Sequence, residues 1–271
     1  MNLGEERKSK LMKDLSDFGY GVLKGVLAPD ECAKLIGHLD AIEAERRDKK
    51  DIYIDPQRVM LWNIHQSHPD IFLDKISNPD VLSVVKSVLK ESVVLGSFAG
   101  IRNQERHVKI NTHIDSRVPI REFEHTTQMV AMYCVSDFTS QNGSTYLWPL
   151  SHRSGLNPKE IYPPGTALPG NVQVEAKAGD VLMFLGQTWH DVAPNISNEK
   201  RWGLLTYYAR WWIKPSFDYT ACGPELYKRL TAEQKVLFGF NSRPPSNASY
   251  RINTVMPIES VPDDYDAALK S

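Results

Sequence analysis

The chain is poor in the features that mark several large functional classes. No apolar run approaches the ~20 residues that cross a bilayer, and Met1–Lys8 lacks the apolar stretch of a secretory leader, so neither a membrane protein nor a secreted one is expected. Charge of one sign is not in excess: 32 Lys and Arg stand against 33 Asp and Glu, a net charge of −1. Without a basic field, binding to nucleic acid or to an anionic membrane surface is not expected. There are only three cysteines, Cys32, Cys134 and Cys222, far apart and odd in number. They supply neither a disulfide framework nor zinc spacing, which points to a reducing, cytoplasmic compartment. Internal repeats, low-complexity segments and linkers are absent too, so one domain over 1–271 is expected.

What is present reads as an ordinary globular chain of 271 residues, 41% hydrophobic and 24% charged. Asp17–Leu27 reads as a short strand broken by glycines. Pro29-Asp30-Glu31-Cys32 then opens a helix running toward Arg46, with Cys32, Leu35, Ile36 and Leu39 at helical spacing. Further helices are expected near Pro69–Ile76 and Asp80–Leu89. From Val93 the period changes. Short strand-like runs follow at Val93–Ile101, Arg106–Ile114, Gln128–Val135, Thr145–Trp148, Val172–Val174, Val181–Leu185, His190–Val192 and Arg201–Trp212. Turn formers such as Gln141-Asn142-Gly143 and Ala178-Gly179-Asp180 separate them. This spacing predicts a mainly β fold, a double-stranded β-helix (jelly roll) with helices packed outside. Its core would span about 93–213, after a helical part at 1–92 and before a helix (Pro224–Phe238) and tail within 214–271.

The chemistry concentrates in Asn111-Thr112-His113-Ile114-Asp115. On a strand, residues two apart share a face, so His113 and Asp115 would converge on one point. His190 is placed to supply a third ligand. Two histidines and one carboxylate with open positions opposite are the ligand set of non-haem Fe(II) oxygenases. After His190 a polar turn leads to Arg201, which either faces back into the barrel or lies on the surface beside Glu199. In the first case its planar guanidinium could hold a carboxylate bidentately. A dicarboxylate co-substrate would then satisfy a charge too costly to bury alone.

Four segments, in order, make the chain resemble the phytanoyl-CoA dioxygenase family of Fe(II)/2-oxoglutarate-dependent oxygenases. They are Gly19–Leu27 with Pro29-Asp30-Glu31; His113-x-Asp115; Asn142-Gly143-Ser144-Thr145 with Pro149-Leu150-Ser151-His152; and His190…Asn195-x-Ser197…Arg201. Together they span about residues 17–213. Two departures stand out: Leu150 replaces a glycine, and Ile114 is apolar where some relatives carry a polar residue. The resemblance implies Fe(II) on His113, Asp115 and His190, 2-oxoglutarate chelating the iron and reaching Arg201, and O2 as oxidant. It further implies oxidation of a small molecule with release of succinate and CO2. Halogenating relatives carry a small residue at the carboxylate position, so Asp115 favours hydroxylation. Thr145 either contacts the co-substrate carboxylate or serves only its strand.

The substrate is less legible. Arg102, Asn103, Arg106, Lys109, Arg117 and Arg121 bracket the first two ligands. They are either solvated edges or the mouth of a site for a carboxylate, phosphate or phosphonate. At most two or three could point inward on an alternating strand. His65-x-x-His68 has metal-like spacing but no further ligands, and His152 reads as structural. Trp148 and the Trp211-Trp212 pair read as core or rim aromatics. A catalytically silent jelly roll that binds a ligand or another metal is the competing class. A zinc hydrolase is disfavoured because no general base stands beside the ligands.

Overall fold

A computed structural model describes residues 4–55, 57–90, 92–104, 110–244 and 255–269. The strands are β1 (Tyr20–Leu23), β2 (Tyr53–Ile54), β3 (Arg58–Trp62), β4 (Val93–Asn103), β5 (Gln128–Cys134), β6 (Thr145–Leu147), β7 (Val172–Val174), β8 (Val181–Leu185), β9 (His190–Val192) and β10 (Trp202–Arg210). Seven form one sheet in the order β1-β8-β5-β10-β4-β3-β2, and three form a second in the order β7-β6-β9. Every pairing is antiparallel. The two sheets face each other as a jelly roll, and the helices lie against the outer face of the larger one.

That arrangement follows from two apolar rows on each strand. In β4 all eleven residues are buried, and so are all seven in β5, because both faces of the large sheet are covered. One row (Leu95, Met129, Ala131, Tyr133, Met183, Leu204) packs against the helices. The other (Met60, Ala99, Ile101, Val130, Met132, Leu182, Phe184) joins Leu147 and Val174 of the small sheet to fill the interior. The covering helices are α1 (Glu5–Phe18), α2 (Pro29–Asp48), α3 (Ile64–Ser67), α4 (Pro69–Ile76) and α5 (Pro79–Leu89). In α5 the cap is explicit: the Asn78 side chain accepts from the backbone N–H groups of Asp80 and Val81, and Pro79 opens the first turn. Later come α6 (Pro158–Ile161), α7 (Pro224–Tyr227), α8 (Ala232–Leu237) and α9 (Tyr265–Ala268). Among the described residues no helix is long and apolar enough to cross a membrane.

Four features differ from the sequence expectation. The segment 1–92 carries β2 and β3 in addition to β1, and β3 pairs with β4, extending the large sheet. The run expected as a strand over Arg106–Ile114 is not one where it is described: residues 110–112 and 114 are irregular, and His113 makes a single bridge to His190. Residues 105–109 of that run lie outside the described residues. The helix expected over Pro224–Phe238 is two. Thr231 and Gln234 form a capping box that starts α8 afresh.

The fourth concerns Leu150, which has φ 68° and so adopts the left-handed conformation that glycine favours. The turn keeps the shape a glycine would give it, at a backbone cost of ~1–2 kcal/mol. Leu150 is 54% exposed, so little packing offsets that cost. Leu150→Gly should therefore raise the unfolding free energy by about 0.5–1 kcal/mol, after allowing for the freer unfolded chain. Urea denaturation checks this, and a loss of stability would mean that Leu150 packing outweighs the strain.

Candidate metal centre

His113, Asp115 and His190 come together, with one potential ligand atom of each within 4.8 Å of the others. They are the one such group of three among the described residues. Asp115 Oδ1 lies 3.6 Å from His113 Nε2, and Oδ2 lies 3.3 Å from His190 Nε2. The loop carrying His113 is fastened to β9 by paired backbone bonds. The His113 N–H donates to the His190 carbonyl, and the His190 N–H to the His113 carbonyl, each at 3.0 Å. Two residues on, the N–H groups of Asp115 and Ser116 both donate to the Gly186 carbonyl at 2.8 Å. The Tyr207 hydroxyl donates to the Asp115 carbonyl.

The imidazoles are oriented by their outer nitrogens. His113 Nδ1 lies 2.7 Å from the Asn111 carbonyl and His190 Nδ1 lies 3.0 Å from the Thr188 carbonyl. A carbonyl can only accept, so each Nδ1 carries the hydrogen and each Nε2 lone pair points to the common centre. Burial and then the neighbouring His190 push the His113 pKa down to about 3. Burial opposes charge on His190 too, but Asp115 outweighs it and raises that pKa. Burial likewise opposes ionisation of Asp115, yet His190, His113 and Arg58 hold its carboxyl down to about 2. The result is one carboxylate and two inward nitrogens, a donor set suited to a first-row divalent ion with nitrogen ligands at ~2.0–2.1 Å.

Arg201, just before β10, is 1% exposed and therefore faces inward, away from Glu199 and solvent. The turn that brings it there is built by Asn195, whose Oδ1 accepts from the Ser197 N–H and hydroxyl and whose Nδ2 donates to the Glu199 carbonyl. The guanidinium carbon lies 4.0 Å from the centre of the Phe138 ring. Nη2 donates to Asn103 Oδ1, while Nε and Nη1 are buried without a partner. Burial pushes its pKa down to about 10. A buried cation with two donors left open is costly unless an acceptor such as a carboxylate occupies the space beside it.

The motif around Asn142 supports that cradle. Gly143 has φ 82°, and a Cβ there would meet Asn103 Nδ2 at 2.5 Å and the Ala193 carbonyl at 2.7 Å. Only glycine lets Asn103 donate to the Gly143 carbonyl, at 2.6 Å, while it accepts from Arg201. Thr145 is buried and sits in register with Val192, on the same face of its sheet as Leu147 and hence toward the interior.

The residues expected at the substrate mouth scatter. Arg102, expected as a substrate contact, is turned to the helical side of β4. Its Nε and Nη2 fork the Glu43 carboxylate at 2.9 and 2.8 Å, so both charges are already satisfied. Asn103 is engaged with Arg201, as above, and is not on the wall of the cavity that His113 and Asp115 line. Arg121 packs over Gly155, where an added Cβ would meet its Nε at 2.4 Å, and is not on the wall of the ligand cavity. Arg106 and Lys109 lie outside the described residues. Arg117 does line a cavity of about 250 Å³ together with His113 and Asp115. Arg58, Trp62, Tyr207 and Lys214 line it as well and escaped the sequence reading. Recognising β3 as a strand would have found two of them, since Arg58, Met60 and Trp62 alternate onto one face. His65 is buried against Phe98, Tyr219 and Phe238 with neither ring nitrogen partnered, apart from His68.

A jelly roll with two histidines and a carboxylate at one end of its interior defines the class of non-haem metal oxygenases. Within it, the chain belongs to the phytanoyl-CoA dioxygenase (PhyH) family, whose model matches residues 15–203. It is 24% identical over 235 residues to the dioxygenase af480 of Aspergillus fumigatus, covering 84% of this chain and 75% of that protein. Among solved structures it is similar to the non-haem α-ketoglutarate-dependent epimerase SnoN from nogalamycin biosynthesis. The TM-score there is 0.62 at 17% identity, over 76% of this chain and 84% of that one. It is also similar to HygX from Streptomyces hygroscopicus, solved with nickel and 2-oxoglutarate, with a TM-score of 0.61 at 18% identity over 80% and 89%. These likenesses confirm the jelly-roll fold.

Asp191 holds the ligand loop from behind. Its Oδ2 accepts from the Asn111 N–H at 2.7 Å and faces the Thr112 hydroxyl at 3.5 Å, while Oδ1 accepts from the Val192 N–H at 2.8 Å. Removing a group that orients a metal ligand typically costs 10–100-fold in metal affinity. Asp191→Ala should weaken divalent metal binding by roughly that factor with the fold retained. Calorimetric titration with Mn2+ or Co2+ reads it, and unchanged affinity would show that the His113–His190 bridge alone positions the loop.

Proposed function

We propose that the protein is an Fe(II)- and 2-oxoglutarate-dependent oxygenase that hydroxylates a small molecule. His113, Asp115 and His190 would hold the iron, and Arg201 would anchor the distal carboxylate of 2-oxoglutarate. The observation that supports this reading is Arg201: a buried guanidinium over the Phe138 ring of the interior core, with Nε and Nη1 unpartnered. A ligand carboxylate would complete its bonds, and no carboxylate of the chain does so among the described residues. Thr145, facing the same interior, is the proposed hydroxyl partner of that carboxylate.

When bound, iron and 2-oxoglutarate supply the O2-dependent oxidation, the oxo acid leaving as succinate and CO2. The chain's own work is geometric. The outer hydrogen bonds of His113 and His190 fix the tautomer and tilt of both rings. Asn103 sets the plane of Arg201, and the Phe138 ring backs it and keeps water from the guanidinium. The apolar lining of Met60, Leu205 and Ala209 shields the reacting region. Asp115 fills the ligand position that halogenating relatives leave open, which favours hydroxylation. Relatives of the same fold act on or bind elaborate small molecules: HygX has been solved with hygromycin B and SnoN with a nogalamycin derivative. SnoN is an epimerase and SnoK a carbocyclase, so the outcome depends on how the substrate lies against the centre.

Losing one partner of a buried charge pair costs about 3–5 kcal/mol, or roughly a hundredfold or more in affinity. Arg201→Ala should therefore raise the 2-oxoglutarate requirement at least that steeply and leave metal affinity nearly unchanged. Asp115→Ala and His190→Ala should abolish metal binding and iron-dependent succinate release. Succinate assayed against 2-oxoglutarate concentration, with oxygen uptake, tests both. An unaltered titration in Arg201→Ala would assign the anchor to another cation. No succinate from the iron-loaded wild type under any substrate panel would favour a silent binding protein.

A further inference from the structure

The metal cavity is unusually rich in cations that the proposed co-substrate does not use. Arg58 enters from β3, Arg117 from the loop after Asp115, and Lys214 from the segment after β10. Asp115, a proposed metal ligand, is the sole acid on that wall among the described residues. Arg58 Nε is buried without a hydrogen-bond partner. It forms a loose ion pair with Asp55 Oδ2 at 3.4 Å, while Asp55 Oδ1 accepts from the N–H groups of Gln57 and Arg58. Arg117 and Lys214 have no ion-pair partner among the described residues. The Arg58 side chain is 28% exposed and Arg117 and Lys214 are exposed, so all three can be reached by a ligand from solvent, and a local excess of positive charge of this kind favours an anion.

Cross-strand register separates this group from the co-substrate anchor. Arg58 pairs with Asn103, which in turn stands between Arg58 and Arg201. Arg201 is thus on the far side of Asn103, over Phe138, whereas Arg58 opens to the cavity holding His113 and Asp115. Met60 and Trp62 belong both to its wall and to an adjoining groove of about 630 Å³, where Phe217 packs against Trp62 with ring centres 5.6 Å apart.

We infer that Arg58 and Arg117, with Lys214, form a second anion site that seats an acidic group of the substrate, a carboxylate or a phosphate or sulfate ester, while a flat or extended body lies across Trp62. This rests on the oxygenase reading for the word substrate, but the site itself is defined by the cavity. It also replaces Arg102 and Arg121 as the source of the anionic preference.

The test uses the metal-loaded, 2-oxoglutarate-saturated protein without oxygen, so that nothing turns over. Matched probes are titrated calorimetrically: 1-naphthoate, 1-naphthyl phosphate and 1-naphthyl sulfate against neutral 1-naphthalenemethanol. The anions should bind about tenfold or more tightly than the alcohol, as expected for charge-assisted hydrogen bonds. Arg117→Gln and Arg58→Gln should each remove most of that preference and leave alcohol binding alone. Arg58→Lys, which keeps the charge should Gln disturb β3, should retain part of it. Carboxylate against phosphate and sulfate ester distinguishes the anion accepted. Equal binding of alcohol and anions, no anion binding, or wild-type preference in the Arg58→Gln/Arg117→Gln double variant would overturn the inference. So would a preference lost only in Arg201→Ala, which would place the anion in the co-substrate pocket. Failure of the oxygenase reading looks different: no effect of Arg201→Ala on 2-oxoglutarate, with the naphthyl preference intact.

Discussion

Two backbone hydrogen bonds between His113 and His190 hold this site together. The segment with the first two ligands is not a strand, so no ladder fixes it. The single bridge, the Gly186 carbonyl, the Asp191 carboxylate and the Tyr207 hydroxyl hold it in place. β9, with only three residues, must therefore be rigid, and it is: β6 pairs with it along its whole length, in register His190 with Leu147. A ligand loop tied to a paired strand in this way is held with His113 and Asp115 turned toward His190.

The same economy appears in how the molecule treats its arginines. Arg102 and Arg201 sit one residue apart in the β4–β10 register but on opposite sides of the sheet. On the helical side Glu43 meets Arg102 with two bonds, and desolvation is offset within the chain. On the interior side the chain gives Arg201 one bond and an aromatic backing, and leaves the rest of its donors open. Period-two alternation gives one arginine a carboxylate partner and leaves the other with open donors in the interior, although both are buried cations of the same chemistry.

The jelly roll is shared at 17% identity with an epimerase and a carbocyclase, so the fold alone does not set the outcome. The cavity wall bears this out physically. Strands β4, β5 and β10 supply Gly96, Ser97, Gln128, Leu205 and Tyr207, whereas its cations and its tryptophan come from β3 near the sheet edge, the loop after Asp115 and the segment after β10. Edges and loops can change without disturbing either apolar core, and here they supply three cations and a tryptophan.

The sequence by itself determined the fold class and the ligand triad. Period-two runs punctuated by turn formers point to antiparallel strands, and the sequence singled out His113, Asp115 and His190, which the fold brings together. Even so, His113 and Asp115 converge through a loop stapled to β9 and not through the strand alternation that their spacing suggests. Local pattern also missed β3, because Arg58-Val59-Met60-Leu61-Trp62 reads as a mixed apolar run until β4 is beside it. Which cations face the cavity was decided by tertiary structure alone. Arg102 and Arg117 are equally basic on paper, and only the placement of Glu43 on α2, 59 residues before Arg102, satisfies the one and leaves the other open to a ligand.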